Sequence, residues 1–163
     1  NIGPKVSYVP GEEDFIPANL KFGGGFDFIL DAYNTLSINT EFTKLLVPSP
    51  QEDGSDQEKG FISGIFSSFG DAEGGFSEEL EEVTYALGAE YLYNDAFALR
   101  LGYFHESENK GNRKFFTMGA GFKTNALNVD LSYLINSSDV NNPLENSLRF
   151  SLSFDLGEIY YDY

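Results

Sequence analysis

The sequence of 163 residues contains no cysteine and a single histidine, His105. Without cysteine the chain can form neither a disulfide nor a thiolate metal site. A Ser-His-Asp triad would have to use His105, and no nucleophile-elbow pattern accompanies it. One histidine also falls short of the three or four ligands of a zinc site. We therefore expect no enzymatic activity, no catalytic or metal-binding residue and no cofactor, and we interpret His105 as a surface residue near a strand end.

Basic residues are scarce. The chain has 10 Lys and Arg against 26 Asp and Glu, for a formal net charge of −16. Proteins that bind nucleic acid need a basic surface, so the charge excludes that class of partner. It also argues against binding to an anionic membrane surface. Two interpretations of the acidic surface stay open, which are plain solvation and attraction to a basic partner.

The sequence also lacks a long apolar run. No stretch approaches the length of about 18 residues that a transmembrane helix requires. Instead, apolar and polar residues alternate, as in NALNVDLSYL at 125–134. There Leu127, Val129 and Leu131 fall on one face and Asn128 and Asp130 on the other. This period of two predicts a β-strand with one apolar face.

The same alternation recurs along the chain and predicts eight strands in all. The other seven are residues 2–9, 20–30, 36–42, 83–93, 97–103, 116–122 and 147–156. Several of these stretches extend to about nine to twelve residues, whereas a globular strand usually has about five or six. A tilted membrane-spanning strand needs about 9–11 residues.

The predicted links alternate between short and long. The short links are rich in Asn and Asp, as hairpin turns require: 31–34, 93–95 and 124–126. The long links are 9–18, 47–81, 106–114 and 135–146. Short turns at one end and long loops at the other are typical of an up-and-down outer-membrane barrel, in which the long loops are extracellular. A soluble lipocalin-like carrier, with the apolar face inward, stays open as an alternative.

The polar face of the predicted sheet carries charges of both signs. Within a barrel these side chains would line the lumen, where opposite charges could form pairs. The candidates are Lys21, Asp27, Glu41, Glu90, Arg100, Lys123, Asp130, Arg149 and Asp155.

The long link 47–81 contains a different pattern. Apolar residues repeat at helical spacing in KGFISGIFSSFG (59–70), and Ser77-Glu78-Glu79-Leu80 resembles a helix start. The candidate partner-binding residues are Phe61, Ile62, Ile65, Phe66, Phe69 and Phe76. This stripe either packs on its own barrel or docks a partner.

Acidic residues surround this stripe and would steer it toward a basic partner. They are Glu52, Asp53, Asp56, Glu58, Asp71, Glu73, Glu78 and Glu79, with Lys59 as the one cation among them. The segment EDGSDQE (52–58) is interpreted as a disordered acidic loop, with a weak calcium site as the alternative.

Three stretches of the sequence carry a family resemblance. The first is residues 1–28, NIGPKVSYVPGEEDFIPANLKFGGGFDF. The second is residues 61–123, which begin with FISGIFSSFG and end with FFTMGAGFK. The third is residues 141–157, NNPLENSLRFSLSFDLG. Together they resemble the PorV family of outer-membrane barrels, which belongs to the type IX secretion system and is related to FadL-type transporters. The resemblance implies an all-β, FadL-like barrel of about fourteen strands in the full protein. Residues 1–163 would then form the C-terminal eight strands of a single barrel domain, with short helices in the extracellular loop 47–81.

The resemblance also implies a function without chemistry, located in the bacterial outer membrane and surrounded by its lipid. Members of this family bind the large translocon barrel (SprA/Sov-like) and receive secreted cargo through the cargo's C-terminal signal domain. They carry that cargo to the cell-surface attachment complex, which contains a PorU-like sortase. The alternative is a FadL-type channel for hydrophobic small molecules, which would need an apolar pocket inside the barrel and a passage through its wall.

Overall fold

The computed structural model describes residues 5–9, 12–49, 59–72, 74–140 and 142–154. These contain nine strands, two short α-helices and one turn of 3₁₀-helix at Glu108–Lys110. The strands are β1 (Val6–Val9), β2 (Glu12–Asp14), β3 (Asn19–Ile29), β4 (Asn34–Leu45), β5 (Val83–Tyr93), β6 (Phe97–His105), β7 (Lys114–Lys123), β8 (Leu127–Asn136) and β9 (Leu148–Phe154). The helices are α1 (Phe61–Ser67) and α2 (Phe76–Glu81). Neither helix has the length or the apolar character needed to span a bilayer.

Strands β3 to β9 form one seven-stranded sheet in which each strand lies beside its neighbour in sequence. The pairs from β6 to β9 are antiparallel. This is the order of an up-and-down meander, and it confirms the all-β prediction. Six of the seven strands have 9 to 12 residues, as the alternation predicted.

The strand predicted at 2–9 is present in its described part as β1, but it does not join the large sheet. In the described part of that stretch, β1 has four residues and pairs with β2 in a separate two-stranded sheet. Residues 2–4 lie outside the described part of the chain. In the sequence, Pro10 and Gly11 separate β1 from β2, and a Pro-Gly dipeptide is a turn signal that is compatible with local pairing.

The three short links are hairpin turns, as predicted. Asn94 and Asp95 both adopt left-handed backbone conformations with φ of 53°, as a type I′ turn requires. The backbone N–H of Asn94 donates to the carbonyl of Tyr33 at 2.7 Å, and the N–H of Lys123 donates to the carbonyl of Ala96 at 2.7 Å. These bonds hold the three short links together at one end of the strands.

The chain forms two compact units. The first comprises residues 1–22, 41–85 and 106–111 and contains both helices and the 3₁₀ turn. The second comprises residues 23–40, 86–105 and 112–163 and contains the whole of β6 to β9.

In the second unit, strand register separates an apolar face from a polar one. One row across β6 to β9 joins Leu99, Ala120, Leu131 and Phe150. The next row along the strands, on the opposite face, joins Arg100, Gly119, Ser132 and Arg149. The predicted division of these strands into two faces is therefore confirmed.

The apolar face does not form a core. Among the described residues, the buried hydrophobic side chains are Ala18, Ala72 and Ala98. Phe150 on the apolar face is 66% exposed, whereas the Asp130 side chain on the polar face is 31% exposed. Because β9 is exposed along its whole length, the described sheet has no apolar interior of the kind that a lipocalin-like carrier would need.

Candidate partner-binding surface

Helix α1 packs against its own unit through small residues. An added Cβ at Gly64 would lie 2.6 Å from Cε1 of Phe15 and 3.1 Å from Cγ of Pro48. Ser68, one turn later, is fully buried, and its hydroxyl donates to the carbonyl of Ile65 at 2.8 Å. A larger residue at position 64 would therefore push the helix off Phe15.

The opposite side of α1 is open. Ile62 is 66% exposed and Phe66 is 74% exposed, and Phe69, just beyond the helix, is also exposed. Phe61 and Ile65 are half-buried. The apolar stripe predicted from the sequence is therefore not on one side of α1. Ile62, Phe66 and Phe69 face outward, whereas Phe61 and Ile65 are partly covered.

Helix α2 adds a second exposed pair. Phe76 is 79% exposed, and Leu80, one turn later, is exposed as well. Leu80 was not among the predicted residues, although its spacing of four from Phe76 places both on the same face of a helix. We call Ile62, Phe66, Phe69, Phe76 and Leu80 the exposed loop set.

A buried ion-pair network lies at the base of α2. Lys44 Nζ, at the end of β4, is 2.8 Å from Glu79 Oε2 and 2.7 Å from Glu82 Oε2. These three side chains are 9–13% exposed. Lys110 Nζ, in the 3₁₀ turn, is 2.6 Å from Glu78 Oε1 and 3.2 Å from Glu82 Oε1. The network thereby joins three segments that are distant in sequence.

Neutral donors complete the network. The Ser49 hydroxyl donates to Glu82 Oε1 at 2.9 Å, and the Asn109 amide donates to Glu81 Oε2 at 2.8 Å. The Ala72 backbone N–H donates to Glu79 Oε1 at 3.0 Å. Because its acceptors and donors are matched, this network fixes α2 more firmly than a short helix could hold itself.

The predicted start of α2 needs a correction. The helix begins at Phe76, with Gly75 as its N-cap residue at φ 69°, and no side chain caps it. Ser77 lies inside the helix. The Gly74 N–H instead donates to Glu78 Oε2 at 2.7 Å, so a carboxylate binds the backbone upstream of the helix in place of a serine cap.

Three residues of the predicted acidic rim are ion-paired in the structure. Glu78 and Glu79 are paired with Lys110 and Lys44, and Asp71 Oδ2 is 3.8 Å from Lys59 Nζ. The other predicted rim residues, Glu52, Asp53, Asp56, Glu58 and Glu73, lie outside the described residues. The described part of the loop therefore presents apolar groups more than unpaired acidic ones.

Two carboxyl groups of the network have lowered pKa values. For Glu82, burial raises the pKa, but hydrogen bonds from Lys44, Ser49 and Lys110 outweigh it and the net shift is downward. The pKa of Glu78 is lowered chiefly by its hydrogen bond from Lys110. A depressed folded-state pKa stabilises the fold above the ordinary glutamate value of 4.5, and this contribution is lost as the pH falls below it.

The polar face of the sheet holds paired charges, as predicted. In the second unit, Arg100 Nε is 2.5 Å from Glu90 Oε2 and Nη1 is 2.5 Å from Asp130 Oδ1. In the first unit, Lys21 Nζ is 2.8 Å from Glu41 Oε1. Opposite charges on this face therefore neutralise one another at two places.

The described residues show no metal-binding arrangement. They contain no group of three or more His, Asp or Glu side chains suited to one ion. His105 Nδ1 lies 3.2 Å from the Tyr103 hydroxyl, near the end of β6. The segment 52–58 lies outside the described residues, so the calcium alternative stays a prediction.

These features define the chain as an all-β protein with a meander of long strands. The apolar face of the meander is exposed, and its polar face carries paired charges. Residues 1–52 match the model of a family described as type IX secretion system protein PorV. The match covers β1 to β4 and confirms the resemblance seen in the first of the three stretches. It supports a role as a component of a type IX secretion system, and the family's description names no catalytic activity. The chain has no match among curated proteins.

Proposed function

We propose that this chain is part of an outer-membrane β-barrel that acts, without enzymatic activity, in type IX protein secretion. The observation that carries the proposal is the exposed apolar face of β6 to β9. From the row of Leu127 to that of Ile135 the face extends eight residues, or about 26 Å along the strand. A tilt of about 40° reduces this to about 20 Å, which is comparable to the apolar band of outer-membrane barrels.

The same proposal accounts for the edges of the sheet. Strands β3 and β9 are the outermost strands of the seven. In a lipid environment their outer backbone groups must be paired, because no water is present to satisfy them. We propose that further strands of a FadL-like barrel, about fourteen in all, complete this pairing.

The exposed loop set would bind the other proteins. In this proposal it contacts the SprA/Sov-like translocon barrel or the C-terminal signal domain of cargo, and the cargo then passes to the attachment complex with its PorU-like sortase. Two observations support such docking: large apolar side chains are exposed on short helices, and the Lys44 network holds α2 in place. Pre-organised aromatic anchors give affinity without a large ordering cost.

The alternative, a FadL-type channel for hydrophobic molecules, has less support. The polar face of β5 to β8 carries the Glu90–Arg100–Asp130 network. An apolar molecule that moved along this face would displace water from these partly exposed charges, which is costly. The described polar face therefore favours the secretion role.

The test combines Ile62→Ala, Phe66→Ala and Phe69→Ala in one variant. Because these side chains are exposed, we expect normal barrel abundance and heat-modifiable mobility, but reduced cargo attachment and reduced co-purification of the translocon. The matched control is Val140→Ala with Leu144→Ala, which removes exposed apolar groups from another long link. Wild-type cargo attachment and co-purification in the triple variant would refute the docking role.

A further inference from the structure

The apolar face of β6 to β9 carries ionisable Lys and His side chains only at the end next to the long links. From the short turns toward the long links, the rows of this face contain Leu, Phe, Val, Ala, Met, Ile and Tyr. Next to the long links, His105 pairs in register with Lys114 on this same face. One step below them, the rings of Tyr103 and Phe116 are 4.7 Å apart. The face thus has an apolar body and an end that carries the Lys114 ammonium group, which we call the cationic end.

A groove opens in the apolar body. It has a volume of about 410 Å³, and Leu99, Leu101, Met118, Leu131, Tyr133 and Leu148 line it. Its floor includes Gly119 and Ala120, and Ala120 is the smallest side chain in the row that joins it to Leu99 and Leu131. The groove therefore exists because larger neighbours surround one alanine, and its size is that of a small-ligand site.

We propose that this groove binds an acyl chain of a membrane lipid whose anionic phosphate headgroup lies at Lys114 and His105. The inference rests on the proposed membrane location. Lys114 is four residues from Met118, or about 13 Å along the strand, so one lipid can reach from the cationic end into the groove. Lysine has three N–H donors, so a phosphate joins the contacts that Lys114 already makes.

Charge complementarity favours this occupant over an uncharged one. The chain as a whole is strongly acidic, which argues against general attraction to an anionic surface. On the described apolar face of β6 to β9, however, the ionisable groups that can be cationic are clustered at one end. A neutral lipid or an apolar protein surface would fill the groove but would not use Lys114.

The full chain, purified in a neutral detergent, is offered dioleoyl phosphatidylglycerol or dioleoyl phosphatidylcholine, and retained lipid is counted by native mass spectrometry. We expect the wild type to prefer the anionic lipid, and Lys114→Gln to reduce this preference about fivefold. Lys114→Arg should restore it. Ala120→Phe, which fills the groove, should lower retention of both lipids.

Lys123→Gln is the control, because Lys123 lies on the polar face opposite Asn128 and should leave lipid retention unchanged. Equal retention of the two lipids by the wild type, or an unchanged preference in Lys114→Gln, would overturn the inference. A third result would also overturn the inference: Ala120→Phe retains lipid normally but no longer co-purifies with the translocon. The groove would then bind protein. Membrane fractionation and cargo attachment are scored separately: absence from the outer membrane refutes the proposed function, whereas normal localisation and export without lipid preference refutes only the lipid site.

Discussion

Arg100 and Asp130 form an ion pair across an intervening strand. Arg100 is on β6 and Asp130 is on β8, with β7 between them, yet Nη1 and Oδ1 are 2.5 Å apart. Gly121 of β7 pairs in register with Asp130. A Cβ at Gly121 would lie 2.7 Å from Asp130 Oδ1 and 3.0 Å from Arg100 Nη1. The missing side chain of Gly121 is therefore what lets Arg100 reach Asp130.

This relationship predicts that Gly121→Ala destabilises the sheet. The added methyl group would displace the Arg100 guanidinium or the Asp130 carboxylate and weaken this partly exposed ion pair, at a cost of up to about 1 kcal/mol. Gly24→Ala is the control, because a Cβ there would meet nothing within 4 Å. Denaturant unfolding of the protein in lipid vesicles measures both, and equal midpoints for the two variants would show that Gly121 does not have this role.

The two faces of β9 should respond differently to charge. Leu152 pairs with Val129 on the apolar face, and Ser151 pairs with Asp130 on the polar face. If the apolar face contacts lipid, Leu152→Arg should cost about 2–4 kcal/mol in vesicle unfolding, and Ser151→Arg much less. Similar losses at the two positions would contradict the lipid-facing assignment.

The two ends of the strands should lie on opposite sides of the membrane. The chain has no cysteine, so one introduced cysteine is a clean reporter. We expect an impermeant thiol reagent to label Asp139→Cys in a long link on intact cells, and to label Asn125→Cys in a short turn only after lysis. Both residues are exposed, so accessibility within the fold does not bias the comparison. The opposite labelling pattern would invert the topology.

The network beneath α2 should be a major source of local stability. Lys44→Met would leave the buried Glu79 carboxylate without its cation and Glu82 with Lys110 alone, at a cost of about 3 kcal/mol. Hydrogen exchange of the α2 amides should then accelerate by about two orders of magnitude. Lys21→Met breaks the exposed pair with Glu41 and should have a much smaller effect on stability. Unchanged α2 exchange in Lys44→Met would show that the network does not hold the helix.

Much of the sheet could be predicted from sequence because a period of two acts locally. The alternation around Leu131 determined which side chains share a face, and Asn94 and Asp95 marked a turn. The Lys44–Glu79 and Lys110–Glu78 pairs were not predictable, since 35 and 32 residues separate their members. Which side of α1 is exposed was not predictable either. It depends on the contact of Gly64 with Phe15, which is distant in the sequence. The pairing of β1 with β2 was not predicted, because alternation within a strand does not specify its partner strand.

Photo-crosslinking from Phe66 in living cells tests the secretion role at the exposed loop set. A photoreactive phenylalanine analogue replaces Phe66, which is 74% exposed, or Phe61, which is half-buried on the same helix. We expect position 66 to form crosslinks to the translocon barrel or to cargo, and position 61 to crosslink mainly within its own chain. If position 66 yields only intramolecular or lipid adducts while cargo export is active, the exposed loop set does not bind the secretion machinery.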